Sequence, residues 1–194
     1  MGILDALKPG ALRSPKSLRH KGKRVSDILE AHDRFVRGDQ SGVRADFSGA
    51  ELSHADFAGE NLAYANFLGA NLEGASFRDA KLGSADFEKA RLCSGDLRRA
   101  DLTETNFSGA DLSDAQVGGA ELFRANLSGA ILRGADFGAT NFRDANVNGA
   151  DFRGAKMKTA ILRETNLEGA NLSGVDLSTA LLPRGYKATG RNGD

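Results

Sequence analysis

The chain has 194 residues, of which 40% are hydrophobic and 27% are charged, values that are ordinary for one globular domain. No apolar run approaches the roughly 18 residues that span a bilayer, and the N-terminus lacks the apolar segment of a secretion signal. Cys93 is the single cysteine, which excludes an internal disulfide. We therefore expect a soluble, cytoplasmic protein without a transmembrane segment.

The formal net charge is zero, but the charges are unevenly distributed along the chain. Residues 1–44 carry ten Lys and Arg against five Asp and Glu, whereas residues 45–182 carry thirteen against twenty. Residues 183–194 carry three against one. The sequence thus joins a basic N-terminal segment to a mildly acidic body.

Residues 1–24 are predicted to form a flexible basic arm. Seven Lys and Arg lie from Lys8 to Arg24, with no acidic residue among them. Such a stretch binds nucleic acid or an anionic membrane in some proteins and is a solvated tail in others. The stretch has no aromatic residue for base stacking, which argues against specific binding of single strands. Removing residues 1–24 is not expected to lower stability.

Residues 25–44 are predicted to form a helical cap over the start of the segment that begins at residue 45. Six side chains within residues 25–37 fall on one helical stripe, with Ser26 as the expected N-cap and Gly38 as the expected stop. The stripe consists of Val25, Ile28, Leu29, His32, Phe35 and Val36. In that setting His32 is expected to be a packed cap residue rather than a ligand.

From Ala45 to Leu182 the chain repeats every five residues. The centre of each unit is Leu, Phe, Val or Met at 28 successive positions, and Ala lies two residues before it in 22 units. A helix would scatter residues five apart around its circumference, and a flat strand would send them to alternating faces. Each pentapeptide must therefore turn a corner, so that every central residue points to one axis.

Units such as 65–69 (ANFLG) and 170–174 (ANLSG) resemble the pentapeptide repeat family, and the resemblance extends over residues 45–182. It implies an all-β solenoid, a right-handed quadrilateral β-helix of about seven coils with four pentapeptides in each. At roughly 4.8 Å between coils, the rod is about 34 Å long. The glycines that recur with the same period are expected at its corners.

Each side of such a rod stacks residues twenty apart as an inner ladder. Burying a Leu or Phe contributes about 1.5–3 kcal/mol, so this ladder is expected to dominate stability. Glu60 stands where Ala is usual, and it is expected either to reach the cap or to lean into water. The ladder includes Phe47, Leu52, Phe57, Leu62, Phe67, Phe87, Phe107, Leu127, Val147 and Leu167.

Residues 183–194 form a polar tail that is expected to be disordered. The tail would leave the last central residues, among them Leu177 and Leu182, thinly covered. We expect either an end-to-end homodimer through the C-terminal coil or a tail that folds over that coil.

The sequence shows no catalytic, cofactor-binding or metal-binding constellation. His20, His32 and His54 have no ligand spacing with Cys or acidic residues, and Cys93 has no matched histidine. We therefore expect no enzyme activity, no cofactor and no metal.

Two functions are consistent with this organisation. The first is a protein–protein interaction or scaffold module with an unknown protein partner. Its candidate partner surface consists of exposed apolar residues on the fourth side, with one on an adjoining second side. These residues are Tyr64, Phe123, Ile161 and Leu181 on the fourth side, and Ile131 on the second.

The second function is implied by the family resemblance alone: a DNA mimic that binds DNA gyrase or another topoisomerase and confers quinolone resistance. Duplex DNA carries one charge per ~1.7 Å, but the four sides here carry only −3, −2, 0 and −2. The chain also lacks the projecting loops and the C-terminal dimerisation helix of many such members. Gyrase is therefore a disfavoured partner.

Overall fold

The structure is a computed structural model that describes residues 11–186. Its regular elements all lie in the N-terminal segment: a 3₁₀ helix at Pro15–Ser17, strands β1 (Arg19–His20) and β2 (Lys23–Arg24), and helix α1 (Val25–Val36). From Ala45 onward the described chain winds as a coil held by isolated β-bridges.

The coil is a four-sided parallel β-helix. From Asp46 to Ile161, the residue before each central position pairs in parallel with the residue twenty positions further on, with Lys156 as the exception. The backbone N–H of Phe47 donates to the carbonyl of Asn66 at 2.7 Å, and this pattern recurs from coil to coil. Twenty residues are four pentapeptides, so each pentapeptide forms one side.

The corners are tight turns in which one residue adopts a left-handed backbone. At the first corner, the N–H of Ala50 donates to the carbonyl of Phe47 at 3.0 Å. Every fifth residue from Gly49 to Gly174 has a positive φ. The recurring glycines do lie at corners, but fourteen of these corners hold other residues, such as Thr159 with φ 57°. A left-handed conformation costs a residue other than glycine roughly 1–2 kcal/mol.

The core lies on the axis of the coil. Every central residue from Phe47 to Leu167 is buried, including all ten ladder residues named above. Phe47, Phe67, Phe87 and Phe107 stack along one side, with successive ring centroids 5.1, 4.6 and 5.1 Å apart. Such stacked pairs add to the free energy gained by burying apolar area.

Three buried threonines replace alanine beside the ladder. Thr105 donates from Oγ1 to the Leu82 carbonyl at 2.9 Å, and Thr140 and Thr165 make equivalent bonds at 2.9 and 2.6 Å. Each hydroxyl reaches a carbonyl of the preceding coil, so none of these three hydroxyl donors is left unpaired. The sequence indicates only that threonine is small enough for this position.

The prediction of a flexible arm over residues 1–24 is wrong from residue 11 onward. The N–H of Arg13 donates to the His54 carbonyl at 2.7 Å, and its carbonyl accepts from Asp56 at 3.0 Å. Leu18 is 2% exposed and belongs to the core. The first coil has an open backbone edge, and Arg13 supplies its partners. Residues 1–10 lie outside the described part.

Helix α1 begins two residues earlier than the expected N-cap at Ser26 suggests, because Arg24 is the N-cap. The N–H of Val25 donates to the Leu18 carbonyl at 2.9 Å, so Ser26 does not act as the N-cap, and its hydroxyl pairs with Asp27 instead. Val25 and His32 are buried, and Ile28 and Leu29 pack against the core.

One residue of the predicted stripe, in the last turn of α1, is exposed. Phe35 is 37% exposed, and Val36 is half-buried. At 3.6 residues per turn, Phe35 lies about 80° from Val25 around the helix, at the edge of the stripe. Phe35 therefore belongs to the predicted stripe but is not covered by the coil. Its ring instead stacks on the His32 ring, with centroids 5.6 Å apart.

The C-terminal end is covered far less. Leu172, Leu177 and Leu182 are only partly buried. Within residues 11–186, Lys156 and Asp176 form no bridge, although bridges continue on the second and fourth sides. Tyr186 packs against this coil, so the described start of the tail folds over it. Residues 187–194 lie outside the described part.

Candidate functional site

The described chain contains no arrangement that suggests catalysis. Between residues 11 and 186, no group of three or more His, Cys, Asp or Glu side chains is placed to hold a metal ion. Cys93 is half-buried, and burial together with the Asp111 carboxylate raises the pKa of its thiol to about 11. A thiol with a raised pKa is a poor nucleophile at neutral pH. The candidate sites are therefore the surfaces of the rod.

Four flat sides form most of that surface, and ion pairs neutralise some of the carboxylates on two of them. On the third side, Arg99 binds Asp79 and Arg98 binds Asp96, each with a closest N–O distance of 2.6 Å. On the second side, Arg133 and Arg153 both contact Asp151, at 2.6 and 2.8 Å. Hydrogen bonds from these arginines lower the pKa values of the three carboxylates. These pairs reduce the negative charge of the second and third sides, while the rod as a whole stays net acidic.

The first side carries a ladder of asparagine and aspartate side chains. Asn126 donates from Nδ2 to Asn106 at 3.1 Å, and Asn146 donates to Asn126 at the same distance. Equivalent bonds join Asn66 to Asp46 and Asn106 to Asp86. The sequence signal for this ladder is that Asp or Asn recurs every twenty residues on one side. That recurrence alone does not indicate that the side chains bond to one another.

The structure does not assemble the predicted apolar partner surface. In a four-sided coil the second and fourth sides are opposite, so the placement of Ile131 on an adjoining side is wrong. Ile161 and Leu181 are bridge partners and form the one adjacent pair of the five. Phe123 is half-buried and the guanidinium of Arg124 covers its ring, while Tyr64 is 54% exposed near the N-terminal end.

Two titratable residues lie between α1 and the first coil. His32 Nδ1 accepts the N–H of Ala45 at 3.0 Å, and burial, reinforced by Arg44, lowers the pKa of the imidazole. A protonated His32 would lose this acceptor, so the geometry requires the neutral ring. Glu60 is half-buried, and burial together with Asp33 and Asp56 raises the pKa of its carboxyl group. Asp33 belongs to α1, so Glu60 is close to the cap, although no ion pair holds it there among the described residues.

No helix within residues 11–186 is long and apolar enough to cross a membrane.

Comparison with known proteins agrees with this geometry. The family model for pentapeptide repeats matches eight copies, over residues 43–79, 80–119, 120–158 and 160–183. The chain belongs to the pentapeptide repeat family. No curated protein sequence matches this pentapeptide repeat protein.

Several solved pentapeptide repeat structures are similar to it. A trypsin-treated variant of QnrB1, a plasmid-mediated fluoroquinolone resistance protein, is 28% identical with a TM-score of 0.68, covering 72% of this chain and 70% of that one. Full-length QnrB1 is 24% identical with a TM-score of 0.60, covering 73% and 74%. A pentapeptide repeat protein from the Arabidopsis thaliana thylakoid lumen is 30% identical with a TM-score of 0.41, covering 62% and 70%.

Proposed function

We propose that this pentapeptide repeat protein is a non-enzymatic interaction module that presents the flat sides of a rigid rod to a protein partner in the cytoplasm. One observation carries the proposal: from Gly49 to Gly174 a corner with positive φ recurs every five residues without an inserted loop. Such a rod offers extended flat surfaces. Solenoids commonly use surfaces of this kind for binding.

The test uses the full chain as bait and one substitution at mid-rod on each side. If a partner binds one side, the variant on that side should bind it at least tenfold more weakly, and the variant on the opposite side should bind it almost unchanged. Equal losses on all four sides, or none, would contradict binding through a side. The four variants are Ser128→Arg, Arg133→Glu, Arg98→Glu and Thr103→Arg on sides one to four.

The finer architecture belongs to the same proposal. We infer about seven right-handed coils, closed at the N-terminal end by residues 25–44 acting as a cap.

At the other end, the partly exposed Leu172, Leu177 and Leu182 support a homodimer formed end to end. Light scattering at rising concentration should show twice the monomer mass. Leu177→Glu should return the mass to that of a monomer without changing the ladder upstream, whereas a monomer at all concentrations would contradict the dimer.

A DNA mimic that binds gyrase is the second candidate, because QnrB1 is similar in sequence and fold. The paired charges on the second and third sides disfavour it. Purified gyrase assayed for supercoiling with a fluoroquinolone tests it directly. We expect no protection when the chain is added, and protection at equimolar chain would favour the mimic over an unrelated partner.

A further inference from the structure

A basic hairpin closes the N-terminal end of the rod. Strands β1 and β2 pair antiparallel, with Arg19 opposite Arg24 and His20 opposite Lys23. The turn between them has positive φ at Lys21 and at Gly22. Lys21 Nζ lies 2.7 Å from Asp46 Oδ2, and the His20 ring lies 6.2 Å from the Phe47 ring. The hairpin is therefore fixed to the first coil at defined positions.

The charges on this hairpin are unfavourable for the folded chain alone. Like charges directly opposite one another destabilise a strand pair. Arg19, Lys23 and Arg24 are exposed and have no ion pair with any acidic side chain of residues 11–186. Arg24 also directly precedes α1, and a helix N-terminus disfavours cations. A bound anionic surface would relieve each of these repulsions.

Exposed apolar side chains lie in the same N-terminal layer. Leu12 is 45% exposed and Val43 is 61% exposed, and Phe35 projects from α1. Leu12 precedes the edge-pairing Arg13, and the N–H of Val43 donates to the Ala31 carbonyl at 2.9 Å, which ties it to α1. Basic side chains beside exposed apolar ones are typical of segments that lie at a membrane interface. Phosphates of a nucleic acid would gain nothing from these apolar groups.

We propose that the N-terminal end of the rod docks end-on onto a membrane surface rich in anionic lipids. Lys16, Arg19, Lys23 and Arg24 meet the headgroups, and Leu12, Phe35 and Val43 enter the interface. In this orientation the acidic body extends away from the surface. The Debye length is about 8 Å at physiological salt and coils repeat at about 4.8 Å, so most of the body's charge is screened from the membrane.

The experiment measures binding of the full chain to vesicles of pure phosphatidylcholine and of phosphatidylcholine with 30% phosphatidylglycerol. We expect binding to the anionic vesicles alone, weakened by added salt. Each basic residue near such a surface is worth about fivefold in affinity. Arg19→Gln, Lys23→Gln and Arg24→Gln combined should therefore weaken binding about a hundredfold, without lowering the melting temperature, since they remove repulsion.

A matched triple variant on the body is the control. Lys156→Gln, Lys158→Gln and Arg163→Gln change the net charge equally at exposed positions, and this variant should bind vesicles almost as the unmodified chain does. Val43→Ser should weaken vesicle binding while leaving any binding of a 20-base-pair duplex unchanged. Absence of binding to anionic vesicles, or equal loss for both triples, would overturn the proposal. A duplex bound more tightly than vesicles through the same three residues would assign the hairpin to nucleic acid instead.

Discussion

At the N-terminal end of the rod the first coil is covered by the chain itself, whereas at the C-terminal end the last coil is largely open. Arg13 pairs with the first backbone edge, and Leu18 fills the end of the interior. The last coil has only Tyr186 packed over it within the described residues. An open edge invites pairing with another chain. Because one end is covered, association through the other would stop at two chains.

Central residues of the covered coils and of the open last coil look alike in the sequence but differ in burial. Phe107 and Leu177 are both central residues of pentapeptides, but Phe107 is fully buried and Leu177 is partly exposed. Position along the rod, rather than residue type, decides how much each contributes to stability. The following predictions test this difference between covered and open regions.

The largest expected effect is at the middle of the rod. Phe107→Ala removes a ring stacked on Phe87 and should lower the free energy of unfolding by about 3–5 kcal/mol. Leu177→Ala is the matched change in the last coil and should cost less than about 1 kcal/mol, because the side chain is already partly in water. Urea unfolding of both variants measures the difference. Similar losses would show that the last coil is as well packed as the middle.

A somewhat smaller effect is expected at the covered end. Leu18→Ala opens the plug over the first coil and should lower the free energy of unfolding by about 2–4 kcal/mol. Leu12→Ala changes an exposed leucine six residues earlier and should alter stability by less than about 0.5 kcal/mol. Thermal and urea unfolding give both values. A negligible effect of Leu18→Ala would instead support the sequence-based expectation that removing residues 1–24 does not lower stability.

These two predictions concern one region that the sequence predicts correctly and one that it does not. The five-residue period predicts the solenoid and its buried ladder, because each central residue has the same environment. The order of residues 11–24 escapes prediction, since Arg13 acts through its backbone, whose hydrogen bonds leave no trace in side-chain pattern. The prediction of one apolar partner surface is wrong for another reason. The pentapeptide pattern indicates which side of the rod each residue lies on, but two residues are adjacent only if they also lie on neighbouring coils.

Protonation of His32 should weaken the covered end selectively. Its pKa is lowered on folding, so the unfolded chain binds the proton more readily, and stability is fully present above about pH 6.5 and decreases as pH falls through the folded pKa. His32→Asn retains an acceptor for Ala45 but does not titrate. The loss of stability between pH 7.5 and 5 should be smaller in this variant than in the unmodified chain. Subtracting the two curves removes the opposing contribution of Glu60, and His54→Asn serves as the control outside the cap.

The smallest effect concerns the corners, some of which hold glycine and others a residue in a strained left-handed conformation. Thr159 has φ 57° near the open end, and Gly59 has φ 72° near the covered end with no atom within 4 Å of an added Cβ. Thr159→Gly should raise the free energy of unfolding by about 0.5–1 kcal/mol, because relief of a left-handed threonine exceeds the entropy that glycine adds to the unfolded chain. Gly59→Ala should lower it by a similar amount, about 1 kcal/mol, since the side chain has room and only the backbone is strained. Equal and opposite changes in the free energy of unfolding, measured in urea, would show that corner strain does not depend on how each end is covered. A change for Gly59→Ala alone would mean that the corners of the open last coils are already relaxed.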